Sequence, residues 1–281
     1  MSRLLESLTV RTITLSPAAA SESRSLFGFI SLVFVLSIPF YVAGALTKFR
    51  LLPGLPVSAL ALVCPMIAAS ILIYRRQRAA GVMALLRRSF EYRRIKPKWY
   101  LPILFLMPCV TVAGYVVMRS TGLPLPATQR FALLTAPVLF AVLFAAALAE
   151  ELGWSGYAIE ALQARWSALA SGIVLGVIWA VWHAIPLIEV DRSLDWMSWW
   201  ALGSIASRVL MTWLFNNTGK SVFGVALFHT SSNFSWQMFP NQGSHWDPRI
   251  NALIVTGVAA LVAVLWGPRT LARRPRSGGE H

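Results

Sequence analysis

Apolar and polar positions divide the chain into eight long apolar stretches that are separated by shorter polar connections. Each stretch has about the 20 mostly apolar residues that a membrane-spanning helix needs. The predicted spans are residues 26–47, 56–74, 100–118, 131–152, 169–188, 196–215, 221–239 and 250–267. The pattern therefore predicts an all-α, polytopic integral membrane protein with about eight transmembrane helices.

The two ends of the chain differ from this apolar body. Residues 1–25 are polar and predict a disordered N-terminal tail, whereas residues 268–281 form a basic C-terminal tail. The first apolar stretch is too long for the core of a signal peptide, so we expect it to be an uncleaved first span. The sequence has no internal repeat, which leaves residues 26–267 as a single membrane domain.

The composition agrees with a membrane protein and excludes several other classes. Hydrophobic residues make up 57% of the chain, charged residues make up 13%, and the mean hydropathy is +0.62. An ordinary soluble domain has roughly 45–50% apolar and about 25% charged residues. A soluble enzyme, a disordered chain and a disulfide-rich secreted scaffold are therefore excluded. Cys64 and Cys109 lie in separate apolar stretches without a neighbouring Cys or His at ligand spacing.

The basic residues predict the orientation of the protein in the cell membrane. The formal net charge is +14, and residues 75–98 carry nine basic residues against a single acid, Glu91. The positive-inside rule places this connection, and with it both termini, in the cytoplasm. The acidic connection at 189–195 suits the opposite side. We expect the positive charge to contact anionic membrane lipids and not to bind nucleic acid.

Few strongly polar residues fall inside the predicted spans, and such residues are usually functional because a charge at bilayer depth costs a few kcal/mol. They are Glu150, Glu151, His183, Arg208, His229 and Asn233. His229 and Asn233 are four residues apart and share one helix face. Glu150 and Glu151 are adjacent and point about 100° apart, so we expect them to have different roles.

Three short motifs contain most of these residues in a fixed order. They are Ala-Glu-Glu-Leu-Gly-Trp-Ser-Gly-Tyr at 149–157, Trp-Ala-Val-Trp-His at 179–183 and His-Thr-Ser-Ser-Asn at 229–233. Together they resemble the three motifs of the CAAX-protease and bacteriocin-processing (Abi) family of intramembrane glutamate endopeptidases. The resemblance implies an enzyme that hydrolyses a peptide bond, with its catalytic core at about residues 131–239.

The resemblance also implies a role for each matching residue. Glu150 matches the catalytic glutamate, and His183 matches the histidine that helps to bind the attacking water. His229 and Asn233 match the pair that stabilises the oxyanion. The chemistry is plausible, since a carboxylate in a low-dielectric cavity is a stronger base. Two preorganised side chains on one helix face can stabilise charge that develops in the transition state.

The supporting residues include one departure from the family pattern. Glu151 matches the second glutamate, and Trp179 matches the aromatic residue of the second motif. The first motif of the family is commonly Glu-Glu-x-x-x-Arg, but Ser155 occupies the last position here. An arginine there would neutralise Glu151 across one helical turn, whereas serine can only hydrogen-bond. We expect Arg208 to supply the missing positive charge by contacting Glu151.

Three alternatives fit parts of the same pattern. Glu150, His183 and His229 are side chains that could hold zinc, although the chain lacks a His-Glu-x-x-His helix; no cofactor is expected otherwise. A non-catalytic immunity or helper protein could retain the scaffold, and a transporter could use the carboxylate as a proton relay. Catalytic residues should converge on one cavity, whereas relay residues should line a path. For an enzyme, the expected substrate is a peptide or a lipidated protein.

Overall fold

The computed structural model describes residues 17–273, except residues 48, 53–54, 127–133, 241–242 and 244. Within these residues the chain forms ten α-helices and one short antiparallel hairpin of strands β1 (Arg50–Leu52) and β2 (Leu55–Pro56). The helices are α1 (Pro17–Thr47), α2 (Cys64–Arg87), α3 (Tyr100–Ser120), α4 (Ala136–Gly153), α5 (Ile159–Gln163), α6 (Ala168–Trp182), α7 (Ala184–Glu189), α8 (Leu194–Asn217), α9 (Val222–Met238) and α10 (Pro248–Trp266).

The helices confirm an all-α membrane protein. Five of the described helical segments are long and apolar enough to cross a membrane, namely Leu26–Thr47, Val57–Arg94, Pro97–Ser120, Ala136–Gln163 and Pro248–Trp266. The predicted spans at 169–188, 196–215 and 221–239 are also largely helical. Two of them carry buried polar residues that lower their hydropathy, and the third begins with α6, which is apolar but only 15 residues long. The number of eight spans therefore stays a prediction.

The predicted span at 169–188 is not one continuous helix. It ends as α6 at Trp182 and resumes as α7 at Ala184, with His183 at the break. Pro186 explains the interruption, because proline has no backbone N–H to donate to the carbonyl four residues earlier. That carbonyl belongs to Trp182, and the hydroxyl of Tyr41 donates to it at 2.7 Å instead. The break places His183 at a helix end.

Parts of both predicted tails lie among the described residues. Helix α1 begins at Pro17, so residues 17–25 are helical; the alanines at 18–20 favour a helix. Residues 1–16 and 274–281 lie outside the described residues. The start of the basic C-terminal tail packs on the bundle, because the Ala168 N–H donates to the Arg269 carbonyl at 2.9 Å and Asn217 Nδ2 donates to the Leu271 carbonyl at 2.7 Å. The side chain of Leu271 is buried.

Helices α8 and α9 lie at the centre of the bundle. Helix α8 packs against α6 and α10, α9 packs against α3 and α4, and the two helices also contact each other. Small residues permit close approach: a Cβ atom at Gly176 of α6 would lie 2.8 Å from the Ile205 Cα of α8. The four helices that carry the predicted site, α4, α6, α8 and α9, are therefore brought together.

Gly153 provides a test of this close packing. A Cβ atom at this position would lie 2.5 Å from the Pro65 backbone, so α2 and α4 would have to separate. We expect Gly153→Ala to destabilise the protein by about 1–3 kcal/mol, as overpacking does, and to lower the Tm of the purified protein. Gly257→Ala is the matched control, since a Cβ atom there meets nothing within 4 Å. Equal Tm values for the two variants would contradict the predicted close contact.

Candidate active site

The two adjacent glutamates lie near the C-terminal end of α4, where the helix widens into a π-helical turn at Trp154–Ala158. Such turns are frequent at functional sites. Both carboxylates are buried, with 8% exposure at Glu150 and none at Glu151. Glu150 lines an internal cavity, whereas Glu151 does not. The two neighbouring glutamates therefore have different surroundings, while the expected difference in their roles stays a prediction.

Glu151 accepts contacts from three other parts of the fold. Arg208 Nη1 of α8 lies 2.8 and 2.9 Å from its two carboxylate oxygens. His229 Nδ1 of α9 lies 3.1 Å from Oε1. Ser155 Oγ, in the π-helical turn, donates to Oε2. The predicted contact between Arg208 and Glu151 is therefore present, and Ser155 adds a hydrogen bond where the family commonly has arginine.

Arg208 is itself buried, with 1% exposure. Its guanidinium carbon lies 4.5 Å from the centroid of the Trp179 ring, close enough for a cation–π interaction. Nε and Nη2 have no hydrogen-bond partner among the described residues. Arg208 is thus fixed by one carboxylate and one aromatic face, both of which belong to predicted site residues.

Trp179 connects the charge pair to the cavity. Its indole Nε1 donates to Glu150 Oε2 at 2.9 Å, and its backbone carbonyl accepts from His183 Nδ1 at 2.8 Å. Its ring packs edge-on against both His183 and His229, with centroid distances of 4.6 and 5.4 Å. One tryptophan therefore orients the predicted catalytic carboxylate and contacts both histidines. In each histidine Nδ1 is engaged by the protein, which leaves Nε2 for water or substrate.

A cavity of about 280 Å³ is lined by all four predicted catalytic residues, Glu150, His183, His229 and Asn233, and by Trp179. From these residues its wall continues to the α7–α8 connection and to the start of α10. The described residues lining it include none from 63–106, 151–178 or 212–228. Among the described residues, the cavity lining therefore stops short of the Glu151–Arg208 pair and extends toward the end of the bundle opposite residues 88–98.

Several cavity residues were not identified from the sequence. Trp200 packs against His183 with a centroid distance of 5.4 Å and stacks on Trp179 at 6.1 Å. Trp196 and Arg192 line the outer part of the cavity. Tryptophans at the start of a membrane span are typical of an interfacial aromatic belt, which conceals a role in a site. The four-residue spacing of Trp196 and Trp200, which places both on one helix face, was the available signal.

Metal binding is the alternative role that the sequence leaves open for Glu150, His183 and His229. No group of three or more His, Cys, Asp or Glu side chains in the described part of the chain is placed so as to hold a metal ion. Glu150, His183 and His229, the predicted alternative ligands, line the same cavity but do not form such a group.

The fold and the site define a class, that of polytopic all-α membrane proteins in which Glu150, His183, His229 and Asn233 line one internal cavity. Comparison with known proteins specifies the family. Residues 132–235 match the family described as "Type II CAAX prenyl endopeptidase Rce1-like". The chain is 30% identical over 227 residues to "CAAX prenyl protease 2" of Methanococcus maripaludis, covering 76% of this chain and 78% of that protein. The chain belongs to the Rce1-like CAAX endopeptidase family.

The Glu151–Arg208 pair leads to a stability prediction. Arg208→Met leaves a buried carboxylate without its cation, and breaking a buried pair in this way typically costs about 3–5 kcal/mol. We therefore expect a large fall in Tm for Arg208→Met, and a partial recovery when Glu151→Gln is added, because the uncompensated charge is then removed.

The exposed pair of Arg249 and Asp195, 2.6 Å apart, is the matched control. Arg249→Met should leave Tm nearly unchanged, since exposed pairs contribute little. A double variant of Glu151 and Arg208 that is no more stable than Arg208→Met would show that charge compensation is not what stabilises this part of the fold.

Proposed function

We propose that the protein is a glutamate-dependent intramembrane endopeptidase that cleaves a peptide bond near a prenylated cysteine. The observation that carries the proposal is the convergence of Glu150, His183, His229 and Asn233 on a single cavity in a chain of the Rce1-like family. The prenylated substrate is supported by the family and by the name of the archaeal relative.

The proposed reaction uses a water molecule and no covalent intermediate. Trp179 holds Glu150 Oε2 by a hydrogen bond, so Oε1 is the oxygen that accepts a proton from water. The water oxygen forms a bond to the scissile carbonyl carbon while His183 orients the water. The negative carbonyl oxygen is stabilised by the side-chain N–H of Asn233 and by Nε2–H of His229 in its doubly protonated form, since Nδ1–H of His229 is already donated to Glu151. Glu150 then returns the proton to the leaving nitrogen, and the C–N bond breaks.

We also propose that this reaction needs no metal ion. The arrangement supports this, since the described residues contain no cluster of three or more ligand side chains suited to a metal. In addition, the buried charge of Glu151 is balanced by the guanidinium of Arg208, so that carboxylate needs no metal ion.

The alternatives are less well supported. A proton relay across the membrane needs polar residues along a continuous path. The described residues that line the cavity include none from 151–178 or 212–228, so the cavity does not continue past Glu151 as such a path. An inactive helper protein has no need of an oriented carboxylate, whereas the indole of Trp179 orients Glu150 within the cavity. We therefore favour the enzyme.

Activity measurements on purified protein in lipid vesicles test the role of Glu150. With a farnesylated peptide as substrate, we expect Glu150→Gln to lower kcat at least about 100-fold, because general-base catalysis typically contributes that much. Glu160→Gln is the matched control: Glu160 lies on α5 at the surface, 3.5 Å from Lys220, and its loss should change kcat less than about twofold. Full activity in Glu150→Gln would refute the mechanism.

The orientation of the chain is a further proposal. The nine basic residues at 75–98 support placing this segment and both termini in the cytoplasm. The cavity would then face the other side of the membrane, because the α7–α8 connection lies at the opposite end of the bundle. In this orientation the scissile segment of a substrate is presented from the non-cytoplasmic side.

Thiol labelling of intact cells tests this orientation. In a background with Cys64→Ser and Cys109→Ser, single cysteines are introduced at the exposed positions Leu194 and Lys98. A membrane-impermeant maleimide should label Leu194→Cys in intact cells and Lys98→Cys only after permeabilisation. The reverse pattern would place the termini outside and the cavity mouth in the cytoplasm.

A further inference from the structure

Arg192 is a charged residue in the wall of the cavity for which the proposed mechanism has no use. It lies in the connection between α7 and α8 and is half-buried. Its guanidinium carbon lies 4.4 Å from the centroid of the Trp196 ring. The preceding residue, Asp191, has a left-handed backbone (φ 60°), and the Arg192 N–H donates to the Leu187 carbonyl at 3.1 Å. The turn therefore holds Arg192 at the outer part of the cavity.

The acidic residues around Arg192 are engaged elsewhere. Asp191 pairs with Arg50 at 3.4 Å, and Asp195 pairs with Arg249 at 2.6 Å. Glu189 accepts a hydrogen bond from Ser58. Within the described part of the chain, no carboxylate oxygen lies within 4.0 Å of the Arg192 guanidinium. The cavity thus has a cation at its outer part with no counter-charge from the described protein residues.

The surroundings of Arg192 favour an anion. Burial and the charge of Arg50 lower the pKa of Arg192, but an arginine side chain stays cationic at physiological pH. A planar guanidinium binds a carboxylate through two parallel hydrogen bonds. A carboxylate that entered the cavity would relieve the repulsion from Arg50 and complete the pairing of Arg192.

The position of Arg192 also fixes how far from the reaction centre such a carboxylate would lie. Trp200 is at the level of the site, because its ring packs against His183. Trp196 is one helical turn, or about 6 Å, nearer the cavity mouth, and Arg192 lies over it. An extended peptide advances about 3.3–3.6 Å per residue. Two or three residues therefore bridge the scissile bond and Arg192.

We propose that Arg192 binds the C-terminal carboxylate of the peptide substrate and so sets the distance from the chain end at which the bond is cut. The inference rests on the proposed endopeptidase function, and it adds a binding site that the catalytic residues do not include. Between Arg192 and His183 the side chains of the leaving peptide pass Trp196 and Trp200, which provide an apolar wall.

Binding measurements test this site without relying on catalysis. Two fluorescent peptides of one sequence carry a farnesylated cysteine at the fourth position from the C-terminus; one ends in a free carboxylate and the other in a carboxamide. On full-length Glu150→Gln protein in lipid vesicles, we expect the free acid to bind at least about tenfold more tightly than the amide. Adding Arg192→Gln should weaken binding of the acid to the level of the amide and leave the amide unchanged.

Two further variants and a kinetic measurement separate charge recognition from a structural role. Arg192→Lys should retain part of the preference for the acid, and Arg249→Gln, which changes a neighbouring arginine outside the cavity wall, should retain all of it. In protein with Glu150 intact, Arg192→Gln should raise KM for the free acid and change kcat little.

The proposal is overturned if the free acid binds no more tightly than the amide, whether both peptides bind or neither does. It is also overturned if Arg192→Gln weakens the binding of both peptides equally. A preference for the acid in a protein that cleaves neither peptide would instead refute the proposed catalytic function and leave the binding site standing.

Discussion

The ion pair between Glu151 and Arg208 is the interaction on which the rest of the site depends. A carboxylate with no exposure inside a membrane protein costs several kcal/mol unless it is paired and hydrogen-bonded. Glu151 meets this condition through Arg208 of α8, His229 of α9 and Ser155 of the π-helical turn. Satisfying one buried charge therefore fixes α4, α8 and α9 relative to one another.

The cavity follows from this arrangement. Because adjacent residues on a helix point about 100° apart, fixing Glu151 among the helices directs Glu150 toward the cavity. Trp179 then links the two environments, since its indole N–H holds Glu150, its ring covers Arg208 and its carbonyl holds His183. Glu150 can thus be a base whose orientation is set by neutral hydrogen bonding, while the neighbouring carboxylate remains paired with a cation.

Much of this arrangement could be predicted from the sequence, because charged residues are scarce in it. Glu150, His183, His229 and Asn233 stand out inside apolar stretches. The contact between Arg208 and Glu151 could be expected because an intramembrane charge needs a partner, and because the family that the motifs resemble commonly has an arginine where Ser155 stands. Pro186 indicates that the predicted span at 169–188 is interrupted, but the sequence does not place the break at His183. The break depends on a hydrogen bond that the Tyr41 hydroxyl, on a helix distant in sequence, donates to the Trp182 carbonyl. Arg192 was overlooked because its significance depends on which acids are already paired, and pairing is a property of the folded chain.

We propose that a protein guanidinium, and not a metal ion, supplies the positive charge in the site: Arg208 balances Glu151, next to the proposed catalytic base Glu150. Measuring the metal content and the activity of the same sample, before and after exhaustive dialysis against a strong chelator, tests this claim most directly. We expect less than one equivalent of bound metal and unchanged cleavage of a farnesylated peptide. Loss of activity on dialysis, with recovery when one equivalent of zinc is returned, would contradict it.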